Sequence, residues 1–272
     1  MKNMFDLTGK RYVITGGAGV LGSRMANDLA AGGAKICIAD YDEEKAQKVA
    51  EEINEQGNSA SAVKCNVLNK EQIQQTLEKS VEIMGGVDGL INGAGGNRKD
   101  ATASGDMRFF DIPEDAMHFV FDLNFFGTFL PSQVFGEYFA DKKQGSILNV
   151  SSMAALTPLT NICGYAAAKA AVSNFTKWLS VHMANNYSPD IRVNAIAPGF
   201  FLTEQNRFLL TDEKTGELTN RGKTIIDHTP MGEFGKPEYL SGTVFWLLSD
   251  ASRFVTGTVI PIDGGFSAFS GV

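Results

Sequence analysis

The sequence predicts an α/β fold: a doubly wound parallel sheet of about seven strands with helices on both faces. Three observations predict it. Short apolar runs alternate with longer amphipathic stretches along the whole chain, the pattern of repeated strand–helix units. The runs are apolar throughout rather than every second residue, as strands covered on both faces require. A glycine-rich turn at residues 15–22 joins the first run to the first amphipathic stretch. Of 272 residues, 43% are hydrophobic and 20% charged, a balance that supports one packed core. No stretch has linker composition, so residues 1–272 are read as a single domain.

Taken in order, residues 11–15 form the first strand and 20–31 the first helix. Residues 35–39 follow as strand two. Residues 42–56 form a charged helix with Ala46, Val49, Ala50 and Ile53 on one face. Strand three is 60–65, a helix fills 69–84, and strand four is 87–91. One long helix is expected over most of 113–141. Strand five is 146–150, an Ala-rich helix covers 162–186, and strand six is 191–195. A helix at 237–249 and a strand at 258–262 close the chain. Two stretches break the rhythm: residues 95–112, and residues 200–234, a polar insertion expected to act as a lid.

The formal net charge of -7 argues against nucleic-acid binding, which relies on Lys and Arg at phosphates. No stretch approaches the roughly 18 apolar residues of a membrane span. Asp6 and the lack of an apolar run near the N-terminus argue against a signal peptide. The three cysteines, Cys37, Cys65 and Cys163, are odd in number and widely spaced, so they are expected to be free and buried. No close Cys/His cluster offers a metal site. A cytoplasmic protein is expected.

The turn reads Thr15-Gly16-Gly17-Ala18-Gly19-Val20-Leu21-Gly22 and contains G-x-G-x-x-G at Gly17, Gly19 and Gly22. Glycines let the backbone approach a pyrophosphate, and the following helix N-terminus favours an anion. With 29 glycines in the chain the pattern alone is weak; its strand–turn–helix context makes it a dinucleotide fingerprint of the Rossmann type. Asp40 ends strand two 18 residues after Gly22, where a carboxylate accepts from ribose hydroxyls and repels a 2′-phosphate. NAD is therefore expected over NADP. The competing role for Asp40 is a helix N-cap.

Tyr165 and Lys169 are four residues apart in a strong helix former, hence on one face. A cation beside a phenol is expected to lower its pKa from about 10, enabling proton exchange with a carbinol near neutral pH. By itself this spacing is more often a solvated face. Its neighbours alter that: Ser151 and Ser152 end strand five, residues 92–95 (Asn-Gly-Ala-Gly) end strand four, and Pro198, Gly199 and Thr203 follow strand six. All converge on the carboxyl edge of a parallel sheet, where ligands bind.

With these residues in hand, the chain from about residue 8 resembles the classical short-chain dehydrogenases/reductases, through ITGGAGVLG, INGAG, the Asn of FDLNFFGTF, NVSS, YAAAK, RVNAIAPG and TGTVIPIDGGF. The resemblance implies Tyr165 as proton donor and acceptor, and Lys169 as binder of the nicotinamide ribose. It implies Ser152 as holder of the substrate oxygen and Asn124 as support for a water relay. Ser151 is read as structural. The cofactor contacts implied are Gly16, Gly17, Ala18, Gly19, Val20, Leu21, Gly22, Asp40, Tyr41, Asn66, Val67, Asn92, Gly93, Ala94, Gly95, Tyr165, Lys169, Pro198, Gly199, Phe201 and Thr203. Three positions depart from the family pattern: Val20 replaces a glycine, Gly93 an asparagine and Asn66 an acidic residue. The family also implies a homotetramer or homodimer, with helices 113–141 and 162–186 and the tail from Phe266 to Phe269 available as interfaces.

The two irregular stretches offer Asn97, Arg98, Lys99, Gln205, Asn206, Arg207, Arg221, Lys223 and His228. Asn97, Arg98, Gln205, Asn206 and Arg207 are the substrate candidates, since cations here would select an anionic, hydroxylated substrate. Each is also compatible with a solvated loop. The segments after strands four, five and six resemble the mannonate (fructuronate) oxidoreductase branch, which implies NAD(H)-dependent interconversion of D-fructuronate and D-mannonate. Another polyol, sugar or keto-acid dehydrogenase is the alternative. A non-catalytic nucleotide sensor is the alternative of a different class; the full Asn124, Ser152, Tyr165 and Lys169 set argues against it.

Overall fold

The computed structural model describes residues 3–202, 210–212 and 215–271. Among them, seven strands form one sheet: β1 Arg11–Thr15, β2 Lys35–Asp40, β3 Ser59–Lys64, β4 Gly89–Asn92, β5 Gly145–Val150, β6 Ile191–Pro198 and β7 Val259–Ile262. Their order is β3-β2-β1-β4-β5-β6-β7 and every neighbouring pair is parallel. The order reverses between β1 and β4, whose last residues, Thr15 and Asn92, are in register.

Successive strand residues face opposite sides, so each strand feeds two cores. On one side Tyr12, Ile14, Ile36 and Ile38 pack against α1 Val20–Ala31 and α2 Glu43–Glu55 through Met25, Leu29, Ala46 and Ile53. The same side takes Val244 and Leu247 of the last long helix, Ser241–Leu248. On the other side Val13, Cys37, Ile147 and Val193 meet Ile73 of α3 Lys70–Met84. Phe135 and Phe139 of the helix Gly127–Lys142, and Phe175 and Leu179 of the helix Cys163–Asn186, complete that layer. The expected double winding is present.

Several boundaries differ from the sequence reading. β4 starts at Gly89, and β6 runs on to Pro198. The single helix expected over 113–141 is three pieces: α4 Glu114–Phe121, a π-helical segment Asp122–Phe126, and α5 Gly127–Lys142. The Ala-rich helix is α6 Cys163–Asn186. Inside the 200–234 insertion lies a helix the sequence reading left out, α7 Asn220–Asp227. It is capped by Thr219, whose hydroxyl accepts from Gly222 N, and buries only Gly222 and Ile225, too short an apolar stripe to register. The stretch at 237–249 opens as a 3-10 turn, Pro237–Leu240, before α8 Ser241–Leu248, because Pro237 sits at its first position. Cys37 and Cys65 are buried and free, but Cys163, at the start of α6, is exposed. Among the described residues no helix is long and apolar enough to cross a membrane.

Candidate active site

The glycine turn follows β1. Gly16 has φ 63°, and a Cβ there would stand 2.6 Å from the Ala94 Cα; one on Gly22 would stand 2.2 Å from the Gly16 carbonyl oxygen. These positions admit no side chain, and the result is a cradle of bare backbone. Gly19 caps α1 without a side-chain acceptor, and the first turn of α1 carries no acidic residue. Its leading N–H groups are thus suited to an anion. Val20 and Leu21 are partly exposed there. Gly93 is also required: a Cβ would approach the Thr15 carbonyl oxygen to 2.8 Å, which accounts for the departure at that position.

The Asp40 carboxylate accepts from Ala18 N and Asp42 N, both at 3.0 Å. It braces the glycine turn from the end of β2. The N-cap of α2 is Asp42, which accepts from Lys45 N, so the capping alternative for Asp40 does not hold. Tyr41 is largely exposed beside it. Asn66 accepts from Leu68 N through its side chain. Three expected cofactor contacts turn their side chains away. Val67 and Phe201 are buried in the core, Phe201 against Gly235. Asn92 is buried and donates to Ser132 Oγ and Asn149 Oδ1. Only their backbones remain near the carboxyl edge of the sheet. Pro198 ends β6, and Gly199 fits against Asp263, where a Cβ would stand at 2.6 Å.

The four expected catalytic residues come together at this edge. Ser152, just past β5, accepts from Ala154 N at 3.2 Å, which leaves its hydroxyl proton free to donate. Ser152 lies beside the Tyr165 phenol on the first turn of α6 and favours its ionised form. Lys169, one turn later and buried, donates to the Val150 carbonyl at 2.7 Å and lies 5.7 Å from the Tyr165 ring centre. Asn124, fully buried, sits in the π-helical segment; its amide donates to the Gly96 and Val120 carbonyls and its Oδ1 accepts from Gly96 N. A Cβ on Gly95 would stand 2.6 Å from Asn124 Oδ1 and 3.1 Å from Lys169 Nζ, so Gly95 lies directly against both side chains. A single-turn π segment at such a place is a recurrent feature of functional sites.

The electrostatics differ from expectation. Burial pushes the Tyr165 phenol above its usual value, opposed by the neighbouring Ser152. Burial also lowers the Lys169 ammonium to about 8. The expected net lowering of the phenol is therefore absent: burial dominates, and the opposing influence comes from Ser152.

The substrate candidates fare differently. Arg98 is paired with Asp100 and lies 4.9 Å from the Phe119 ring centre, so it is not a free cation. Asn97 donates to Thr102 Oγ1. Thr203, Gln205, Asn206 and Arg207 lie outside the described residues. His228 packs near the Phe266 and Phe269 rings and holds the Thr224 carbonyl through Nδ1, a bracing role. The sequence reading missed Ser173, whose hydroxyl meets that of Ser151 at 2.6 Å, while Ser151 donates to the Lys169 carbonyl. The signal was available as polar residues at 169, 173, 176 and 180 on one stripe of α6. A cavity of about 770 Å³ lies at the opposite edge of the sheet, but its Arg11 is paired with Asp88 and its Arg192 donates to Leu247 O, Ser249 O and Ser252 Oγ. It has no connection to this chemistry.

A family model described as "Enoyl-(Acyl carrier protein) reductase" matches residues 16–267. The Uncharacterized oxidoreductase UxuB of Bacillus subtilis (strain 168) is 47% identical over 276 residues, covering 98% of both chains. A crystal structure of a "putative D-Mannonate oxidoreductase" from Haemophilus influenza with bound NAD superposes with a TM-score of 0.92 at 45% identity, again over 98% of both chains. A gluconate 5-dehydrogenase from Burkholderia cenocepacia J2315, in complex with NADP and tartrate, gives a TM-score of 0.86 at 31% identity, over 97% of this chain and 98% of that one.

Proposed function

The chain belongs to the short-chain dehydrogenase/reductase family of oxidoreductases, and we propose that it interconverts a secondary alcohol and a ketone on a sugar acid, D-mannonate and D-fructuronate above all, with NAD(H). The observation that carries this reading is the convergence of Ser152, Tyr165, buried Lys169 and buried Asn124 at the edge where the glycine turn ends β1. The NAD-bound relative supports the cofactor choice; the NADP-bound one shows that the fold accepts either. Asp40 favours NAD here, because its carboxylate stands where a 2′-phosphate would meet an uncompensated negative charge. The bare cradle of Gly16, Gly17, Gly19 and Gly22 fits a pyrophosphate.

A bound nicotinamide supplies a hydride to the substrate carbon, or accepts one. The protein's own groups manage the proton. Ser152 and Tyr165 donate hydrogen bonds to the carbonyl oxygen, polarising it. Tyr165 then transfers its proton as negative charge develops on that oxygen. The Lys169 cation stabilises the phenolate left behind and returns a proton to it. In the oxidative direction the phenolate withdraws the hydroxyl proton. We also propose a cytoplasmic enzyme that assembles as a homodimer or homotetramer.

The test is a screen of NADH and NADPH oxidation by the purified protein against D-fructuronate, D-tagaturonate and neutral ketoses. Turnover is expected on a uronate with NADH. Activity confined to neutral ketoses removes the sugar-acid assignment, and a preference for NADPH removes the role given to Asp40.

A further inference from the structure

We infer that Thr128, braced by Ser132 and Asn92, is a positioning residue that holds Asn124 in its π-helical turn. This rests on the proposed role of Asn124 beside Lys169. Asn124, Thr128 and Ser132 are spaced by four, so they form one buried polar line along the helix. Thr128 Oγ1 donates to the Asn124 carbonyl at 3.0 Å, and Ser132 Oγ donates to the Thr128 carbonyl at 2.7 Å. Ser132 Oγ in turn accepts from Asn92 Nδ2 at 3.0 Å, and the same nitrogen donates to Asn149 Oδ1 at 2.8 Å. Asn149 closes the series by donating to Thr176 Oγ1 on α6. Every member is at most 2% exposed.

Hydroxyls that bond back to a carbonyl four residues earlier compete with the helical ladder and bend the helix. Here that competition falls on Asn124 itself, in the middle of the π segment, from a hydroxyl in the first turn of α5. At the other end of the residue the Asn124 amide meets both polar groups of Gly96. Asn92 also stands in register with Thr15 and Asn149, so the line fixes the π turn relative to β1, β4 and β5 together.

The test is Thr128→Val, which keeps shape and removes the hydroxyl, beside Thr128→Ser, which keeps the hydroxyl. With the carbonyl substrate found in the screen, T128V is expected to lose at least tenfold in kcat with KM and the NADH Kd within twofold of the parent. T128S is expected to stay within threefold of the parent in kcat. A kcat for T128V within twofold of the parent overturns the inference, as does a parallel loss of kcat, NADH binding and melting temperature. A crystal structure of T128V gives a readout that needs no substrate: Asn124 is expected to shift from Gly96, and an unchanged π segment contradicts the inference. Tyr165→Phe in the same assays separates the two ideas. If that variant turns over normally, the active-site reading itself has failed; if it is dead while T128V is unaffected, only the positioning role is lost.

Discussion

At the scale of single residues, burial is the dominant influence on the chemistry. Among the described residues Lys169 has no carboxylate hydrogen-bond partner; it has the Val150 carbonyl and a desolvated setting, which brings it to about 8. The folded state then binds fewer protons than the unfolded chain between about pH 8 and the ordinary lysine value near 10.4. Stability must rise with pH across that window as the cost of burying the charge is relieved, by up to about 3 kcal/mol at its upper end. The Tyr165 shift has the opposite sign and acts only above about pH 10, the ordinary phenol value, where the folded state holds the extra proton. Comparing urea unfolding of the parent and Lys169→Met at pH 7 and pH 9.5 isolates the lysine. The parent should gain stability relative to the variant at the higher pH; no relative gain would show that the ammonium is well solvated. That Tyr165, Lys169, Ser152 and Asn124 meet at one sheet edge was legible from the strand order and the family resemblance, and not from the Tyr165–Lys169 spacing alone. The direction of the phenol shift was not legible, since desolvation depends on what the fold packs over α6.

At the scale of elements, the strands and the longer helices followed from apolar patterning, and the exceptions each have a physical cause. The π segment interrupts a run whose composition reads as one helix; just beyond it Thr128 and Ser132 bond back to carbonyls four residues earlier, and Pro131 lacks the N–H the ladder needs. The α7 helix escaped because its buried stripe is two residues wide. Asn92, Val67 and Phe201 were expected among the cofactor contacts; their side chains lie in the interior, since chain position gives a residue's place at the sheet edge but not which way its side chain turns. The glycine turn was legible in kind, and the structure adds which glycines are irreplaceable. A Gly22→Ala substitution places a methyl group 2.2 Å from the Gly16 carbonyl oxygen, a contact that backbone movement must relieve. Fluorescence titration should show NADH affinity reduced at least tenfold in a variant with native far-ultraviolet circular dichroism. Unchanged affinity would mean that the cradle is not where the pyrophosphate rests.

At the scale of the whole molecule, the sheet reversal between β1 and β4 places the glycine turn beside the ends of β4, β5 and β6, so residues far apart in sequence share one edge. The outer face of the site helices is unusually aromatic for a surface: Phe119, Phe126 and Trp178 are all more than two-fifths exposed. Exposed aromatic area of this kind marks association surfaces. Multi-angle light scattering is therefore expected to give a mass of two or four chains of 29.3 kDa, and Trp178→Glu to shift it downward. A monomer at micromolar concentration would leave that face without its proposed use. The account turns most directly on Tyr165, and its sharpest test is a paired measurement on Tyr165→Phe: NADH binding by fluorescence, and turnover of the uronate identified in the screen. The predicted result is NADH affinity within a few-fold of the parent and turnover reduced at least 10³-fold, a loss in the range of a positioned proton donor. Turnover within tenfold of the parent would contradict the account and remove Tyr165 from the reaction.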